Sequence, residues 1–224
     1  MTRLFVTATG TEVGKTWLTR GLAAALRARG RRVAAIKPLE TGCRPDPSDA
    51  LALAEACGRP ELANAPGLYR AERPLAPYAA NLAGESAPDL DALVDATRAL
   101  ADDAEVALVE GAGGLLVPLD ATRTIADLVA ALGTPVVLVA RDRLGVLSHT
   151  LTAFESAERR GIDVRAVVLS CSPEASDEDP SPRSNRRILA ERLPTPVLPY
   201  PRSDGRTASL ARAADPLLAP LGLV

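Results

Sequence analysis

Lys15 and Lys37 are the two lysines among the 26 Lys and Arg residues of this 224-residue chain. In a chain that otherwise takes its positive charge from arginine, a retained lysine marks a place for a compact ammonium, where a planar guanidinium would not fit or could not swing. Lys15 stands in Val13-Gly14-Lys15-Thr16, and Lys37 opens Lys37-Pro38-Leu39-Glu40-Thr41-Gly42. Gly-Lys-Thr does phosphate chemistry when a strand precedes it and a helix follows. Backbone N–H groups and the helix N-terminus then face a polyphosphate, the lysine reaches its β- and γ-phosphates, and the threonine hydroxyl serves Mg²⁺.

The flanks supply that context. Leu4-Phe5-Val6 is a short apolar run, residues 7–16 are rich in Thr and Gly, and Trp17 to about Arg29 follows a helical pattern closed by Gly30. The spacing is not the usual one, because a glycine five residues before Gly14 is replaced by Thr9.

Carboxylates come next. In open parallel sheets ligands gather at the carboxyl ends of strands. Glu110 ends the apolar run Val106–Val109 and opens Glu110-Gly-Ala-Gly-Gly114. A carboxylate there can hold a hard cation beside a triphosphate, and the glycines let backbone approach a ligand closely. Asp49, in Pro47-Ser48-Asp49, is a second metal carboxylate or a helix cap. The single histidine, His149, is read as a capping or packing residue, since a lone histidine is a poor basis for catalysis.

These residues need a scaffold. Apolar strand-like runs fall at 33–36, 106–109, 135–139, 164–169 and 196–199. Helical patterns fall at 49–57, 89–103 (with Asp89 as cap), 124–132, 145–160 and 184–193. Residues 58–88 read as loops around short helices, and 172–183 as a polar, Pro-rich loop. The alternation predicts a single α/β domain over 1–224, with a mostly parallel central sheet and helices on both faces. Composition agrees: 47% of residues are hydrophobic but only 3% aromatic, so Ala, Leu and Val must fill the core.

A net charge of −2 argues against non-specific nucleic-acid binding. No run is long enough to span a membrane, and no apolar leader opens the chain. Cys43, Cys57 and Cys171 are far apart in sequence, which argues against a metal cluster or disulfide framework and for a reducing, cytoplasmic location.

Together these motifs resemble the dethiobiotin synthetase family. The resemblance rests on Phe5 to Thr16, Lys37 to Gly42, Ser48-Asp49-Ala50-Leu51, Leu108 to Gly114 with Val117-Pro118-Leu119, and Leu144-Gly145 with His149, in the family's order across about residues 3–170. It implies a P-loop NTPase-like fold and an ATP-dependent ligase of biotin biosynthesis. Such an enzyme closes the ureido ring of dethiobiotin from 7,8-diaminopelargonic acid and CO₂ or bicarbonate, through a carbamate and a carbamic-phosphoric anhydride. By the same resemblance Lys37, Lys15 and Thr11 are catalytic. Glu12, Val13, Gly14, Lys15, Thr16, Ser170 and Pro199 bind ATP. Thr11, Lys37, Thr41, Gly111 and Gly113 bind the substrate. Thr16, Asp49 and Glu110 hold Mg²⁺. The family is a homodimer, and Gly145, Val146, Leu147 and Ser148 would receive the substrate carboxylate of the neighbouring subunit.

The chain departs from the family pattern at Ala8, where a glycine is usual, at Arg143, where a lysine is common, and at Ser170, where an asparagine often reads adenine. A weak preference for ATP over CTP or GTP is therefore expected. Two alternatives use the same loop: an amide ligase of the cobyrinic acid synthetase type, and a partitioning-type ATPase switch. The first usually carries a glutaminase domain for which this chain has no room. The second needs an extra lysine early in the loop, and residues 8–14 contain none.

Overall fold

The phosphate-loop strand lies in the middle of a fully parallel sheet. The structure, a computed structural model, describes residues 2–171 and 179–224. Its strands are β1 (Thr2–Ala8), β2 (Val33–Ile36), β3 (Leu39–Thr41), β4 (Tyr69–Ala71), β5 (Val106–Glu110), β6 (Val136–Arg141), β7 (Val164–Ser170) and β8 (Val197–Tyr200). The main sheet runs β2-β5-β1-β6-β7-β8, with every pair parallel. The strands after β1 fall on both sides of it, so a crevice opens outside its carboxyl end, where ligands bind in such sheets.

The helices are α1 (Lys15–Ala28), α2 (Ser48–Cys57), α3 (Pro77–Leu82), α4 (Leu90–Ala101), α5 (Ile125–Leu132), α6 (Val146–Glu158), α7 (Pro182–Arg192) and α8 (Thr207–Ala214). They cover both faces, as the strand alternation requires. Leu4, Val6 and Ala8 of β1 pack with Leu18, Leu22 and Leu26 of α1 and Leu210 of α8. Phe5 turns the other way, onto Val109, Ile125 and Leu128. On β7, Ala166 and Val168 join the first layer, whereas Val167 and Leu169 pack with Phe154 and Leu189. Strands buried on both faces explain the unbroken apolar runs.

The structure departs from the sequence reading at three places. Leu39–Thr41, where no element is expected, is a strand, and it pairs in parallel with Tyr69–Ala71 from the stretch read as loops and short helices. The helix expected at 184–193 begins at Pro182. The C-terminal stretch holds an unforeseen helix, α8, and a turn at Asp215–Leu217, both packed on α1. Of the polar 172–183 loop, residues 172–178 lie outside the described residues. Asp89 does cap α4, accepting from the N–H groups of Asp91 and Ala92. No helix among the described residues is long and apolar enough to cross a membrane, and all three cysteines are free.

Candidate active site

The loop between β1 and α1 is built around Gly14, whose φ of 97° favours glycine. A Cβ there would lie 2.3 Å from the Ser170 hydroxyl, so the loop backbone is pressed against the end of β7. Glu12 also has a positive φ, 55°, an uncommon conformation for a residue with a side chain. Lys15 begins α1 and folds back to donate to the Gly10 carbonyl at 2.9 Å. Burial lowers its pKa to about 8, against the attraction of Glu110.

Lys37 leaves the end of β2 and is 3% exposed. Its ammonium donates to Glu110 Oε1 at 2.6 Å and to Asp49 Oδ2 at 2.9 Å. Thr16 donates its hydroxyl to the same Glu110 oxygen at 2.8 Å. Burial works against the Lys37 charge, but Glu110 and Asp49 overcome it and hold the pKa well above the ordinary lysine value. Burial would likewise raise Asp49, yet the Lys37 charge and hydrogen bond hold it below the usual carboxylate range. Four elements thus bring Thr16, Lys37, Asp49 and Glu110 together.

Glu40 completes this end of the cleft, and sequence reasoning gave it no role. It is buried on β3, and its two carboxylate oxygens accept from the N–H groups of Asp49 and Ala50 at 2.9 and 2.8 Å. It therefore caps α2 from a distant strand and fixes the turn that carries Asp49. Burial pushes its pKa up, opposed by those two N–H donors. The signal was an acidic residue inside Leu39-Glu40-Thr41, a buried stretch where a carboxylate needs donors.

The cleft holds about 860 Å³. Thr11, Lys37, Glu40, Thr41, Asp49, Ala112 and Gly113 line one end. Glu12, Val13, Gly14, Lys15 and Thr16 line it along the loop after β1, with Thr16 bonded to Glu110 on the β5 side. Arg141, Ser170 and Cys171 end β6 and β7 on the other side of β1, with Trp17 and Arg20 bonded to Tyr200 and Gly205 beyond them. Trp17, Arg20, Arg141 and Cys171 had no expected role; Trp17 directly after Gly-Lys-Thr was the available hint.

Several expected residues stand elsewhere. Gly111 is buried, its N–H bonds to the Val6 carbonyl at 3.0 Å, and a Cβ would lie 2.9 Å from the Phe5 ring. It is glycine for packing, and it does not line the cleft. Pro199 is exposed on β8, also outside the cleft. Gly145, Leu147 and Ser148 lie outside it too, at the start of α6. The Val146 side chain is buried in the core, and its N–H is engaged by the Arg143 carbonyl at 3.1 Å, so that position is not a free donor. His149 is exposed and fills no core, contrary to the packing alternative.

The donor set can be tested for a cation. Glu110 is fully buried, and its Oε2 has no partner among the described residues. An unpartnered buried carboxylate oxygen beside a threonine hydroxyl and Asp49 offers hard oxygen ligands only. That suits Mg²⁺, which takes one or two carboxylates together with substrate phosphates. No cluster of three His, Cys, Asp or Glu residues forms a protein-only metal cage among the described residues.

Known proteins place the chain independently. A family model described as an AAA domain matches residues 2–200. An ATP-dependent dethiobiotin synthetase BioD from Anaeromyxobacter dehalogenans is 43% identical over 98% of both chains. One from Caulobacter vibrioides is 45% identical, covering 80% of this chain and 84% of the relative. Among solved structures, the MinC:MinD cell division complex of Aquifex aeolicus superposes with a TM-score of 0.59 at 11% identity, covering 99% of this chain and 94% of that one. Cobyrinic acid a,c-diamide synthase from Mycobacterium smegmatis, with bound ADP and magnesium, gives 0.57 at 20% identity, covering 97% and 94%. Both structural likenesses speak to the P-loop fold alone.

Proposed function

The chain belongs to the ATP-dependent dethiobiotin synthetase family, and on that footing we propose how its cleft closes the ureido ring. It is an ATP-dependent ligase of biotin biosynthesis. The substrates we assign are 7,8-diaminopelargonic acid, CO₂ or bicarbonate, and ATP. One amine takes up CO₂ as a carbamate. A carbamate oxygen attacks the γ-phosphorus and ADP leaves. The second amine attacks the carbonyl carbon of the mixed anhydride, the C–O bond to phosphate breaks, and phosphate departs with an oxygen that came from CO₂.

The observation that carries this reading is the buried Lys37 ammonium, held between Glu110 and Asp49 next to Thr16. It supplies a fixed positive charge where a carbamate and a transferring phosphoryl group, both anionic, must meet. Mg²⁺ held by Thr16, Asp49 and Glu110 would neutralise phosphate charge as it develops. Lys15, in the loop between β1 and α1, bridges the phosphates, whose negative charge favours its ammonium form. Thr11, Thr41 and the Gly113 backbone line the diamine end. No general base of unusual strength is required, because the attacking amine can pass its proton to the departing phosphate.

We also place the protein in the cytoplasm, in keeping with its three free cysteines, and propose a homodimer. Gly145, Leu147 and Ser148 lie outside the cleft lining of their own chain, beside Leu144, which is 80% exposed. The backbone N–H groups of a helix start and the Ser148 hydroxyl suit the carboxylate of a diamine seated in the partner's cleft. A fully active monomer by light scattering would remove the dimer.

Omission assays test the reaction. Phosphate release should require ATP, diamine and bicarbonate together, with one cyclic urea formed per phosphate. ATP hydrolysis at the same rate without the diamine would mark a nucleotide switch instead.

A further inference from the structure

We propose that the indole of Trp17 is the stacking platform for the ATP nucleobase, an inference that rests on the ATP-dependent reading above. Trp17 is the chain's single tryptophan. It follows Thr16 directly, in the first turn of α1, beside the N–H groups that face the phosphates. Lys37, Glu40 and Asp49 fill one end of the cleft, so a triphosphate on the loop after β1 leads its nucleoside toward the other. The wall there is Trp17, Arg20, Arg141, Ser170 and Cys171. Of these five, Trp17 alone offers an aromatic face.

The ring is held in place by the segment after β8. A Cβ on Gly205 would lie 3.3 Å from the indole Cη2 and 3.4 Å from Cζ2, so the segment after β8 meets the ring with no side chain between them. The Tyr200 hydroxyl donates to the Trp17 carbonyl at 3.0 Å. The Arg20 guanidinium donates to the Gly205 carbonyl at 3.5 Å. Two hydrogen bonds thus tie β8 and its following segment to the first turns of α1, at Trp17 itself and one turn on. The half-buried ring packs on the core and also lines the cleft. Stacking accepts any base, because every base has a π-face. It suits a strand end where Ser170 offers one short hydroxyl in place of a bidentate reader. Recognition is by the face of the base and not by its edge.

The single tryptophan makes the platform directly visible. Emission of the wild-type protein is titrated with Mg-ATP, Mg-CTP and Mg-tripolyphosphate. Both nucleotides should quench it, whereas tripolyphosphate should leave it unchanged while displacing ATP. By calorimetry, Trp17→Leu should weaken ATP about tenfold with little change for tripolyphosphate, and Trp17→Phe should recover most of the loss. The proposal is overturned if tripolyphosphate alters the emission as ATP does, or if the ATP-to-tripolyphosphate affinity ratio of the Leu variant equals that of wild type. The wild-type titration decides the matter should the Leu variant fail to fold. Diamine-dependent phosphate release on the same preparation reads the reaction separately. Release without a base-dependent quench keeps the reaction and removes the platform.

Discussion

The two ends of the cleft are built on opposite plans. At the diamine end Lys37, Asp49, Glu110 and Thr16 are joined by hydrogen bonds of 2.6 to 2.9 Å, and Glu40 fixes the turn beneath Asp49. At the nucleoside end an indole, two guanidinium groups, a hydroxyl and a thiol line a wall with no amide side chain, among the described residues, to match the donor and acceptor of the adenine edge together. The first end is preorganised charge, the form of stabilisation that counts most when charge develops during reaction. The second is contact surface, which sets affinity. Substitutions at the first should strike turnover, and those at the second should move binding by modest factors.

Lys37→Arg is the sharpest way to break the diamine end. The guanidinium keeps the charge but is wider and cannot sit between Glu110 and Asp49 as the ammonium does. Turnover should fall on the order of 10²–10³-fold, with ATP affinity by calorimetry changing far less. Near-normal steady-state turnover would show that the buried pair serves stability only.

Glu40→Gln tests whether support beneath the site matters as much as the site itself. One acceptor for an α2 N–H is lost, and the amide turns a donor toward it. Supporting residues of metal sites commonly change metal affinity by about 10- to 100-fold. The Mg²⁺ concentration for half-maximal activity should therefore rise by about that factor. A variant with wild-type Mg²⁺ dependence and a lowered melting temperature would make Glu40 a purely structural cap.

Lys15 stands between the two ends, and its titration should be felt in ATP binding. Its pKa of about 8 reflects burial, offset in part by Glu110. A bound triphosphate restores the ammonium. Below pH 8 the group is already charged and affinity should be flat. As pH rises through 8 binding must take up a proton, and the Kd should climb toward tenfold per pH unit. Calorimetry at about pH 7 and about pH 9, in buffers of different ionisation enthalpy, reads both affinity and proton uptake. Equal affinities without uptake would contradict the lowered pKa.

Base choice gives the smallest effect. Without the asparagine amide that would read adenine bidentately, a contact worth roughly 1–3 kcal/mol, kcat/KM for ATP, CTP and GTP should agree within about tenfold. A preference for ATP above about a thousandfold would exceed what one such contact supplies and would reveal another reader of the base.

Local sequence carried much of the scaffold. The apolar runs at 106–109, 135–139 and 164–169 are strands because both faces are covered, and Gly14-Lys15-Thr16 sits at a strand-to-helix turn as its context required. What stayed hidden depends on distant partners. Leu39–Thr41 is only three residues long, and its polar Glu40 is satisfied by N–H groups nine and ten positions further on. The helix α8 follows a Pro-rich polar stretch and is held by α1 nearly two hundred residues earlier in the chain. Gly111 resembled a ligand contact because the Phe5 ring that excludes a side chain there comes from another strand. Val146 looked available because helix starts leave N–H groups free, and the Arg143 carbonyl takes that one.

The central claim is that Lys37 and the carboxylates around it bring a carbamate oxygen onto the γ-phosphorus of ATP. Isotope transfer tests it most directly. With ¹⁸O-labelled bicarbonate, diamine and ATP, in incubations short against exchange with water, mass spectrometry of the released phosphate should find one ¹⁸O atom per phosphate. Phosphate carrying only unlabelled oxygen, with its new oxygen drawn from water, would mean that ATP is hydrolysed without a carbamic-phosphoric anhydride and would contradict the account.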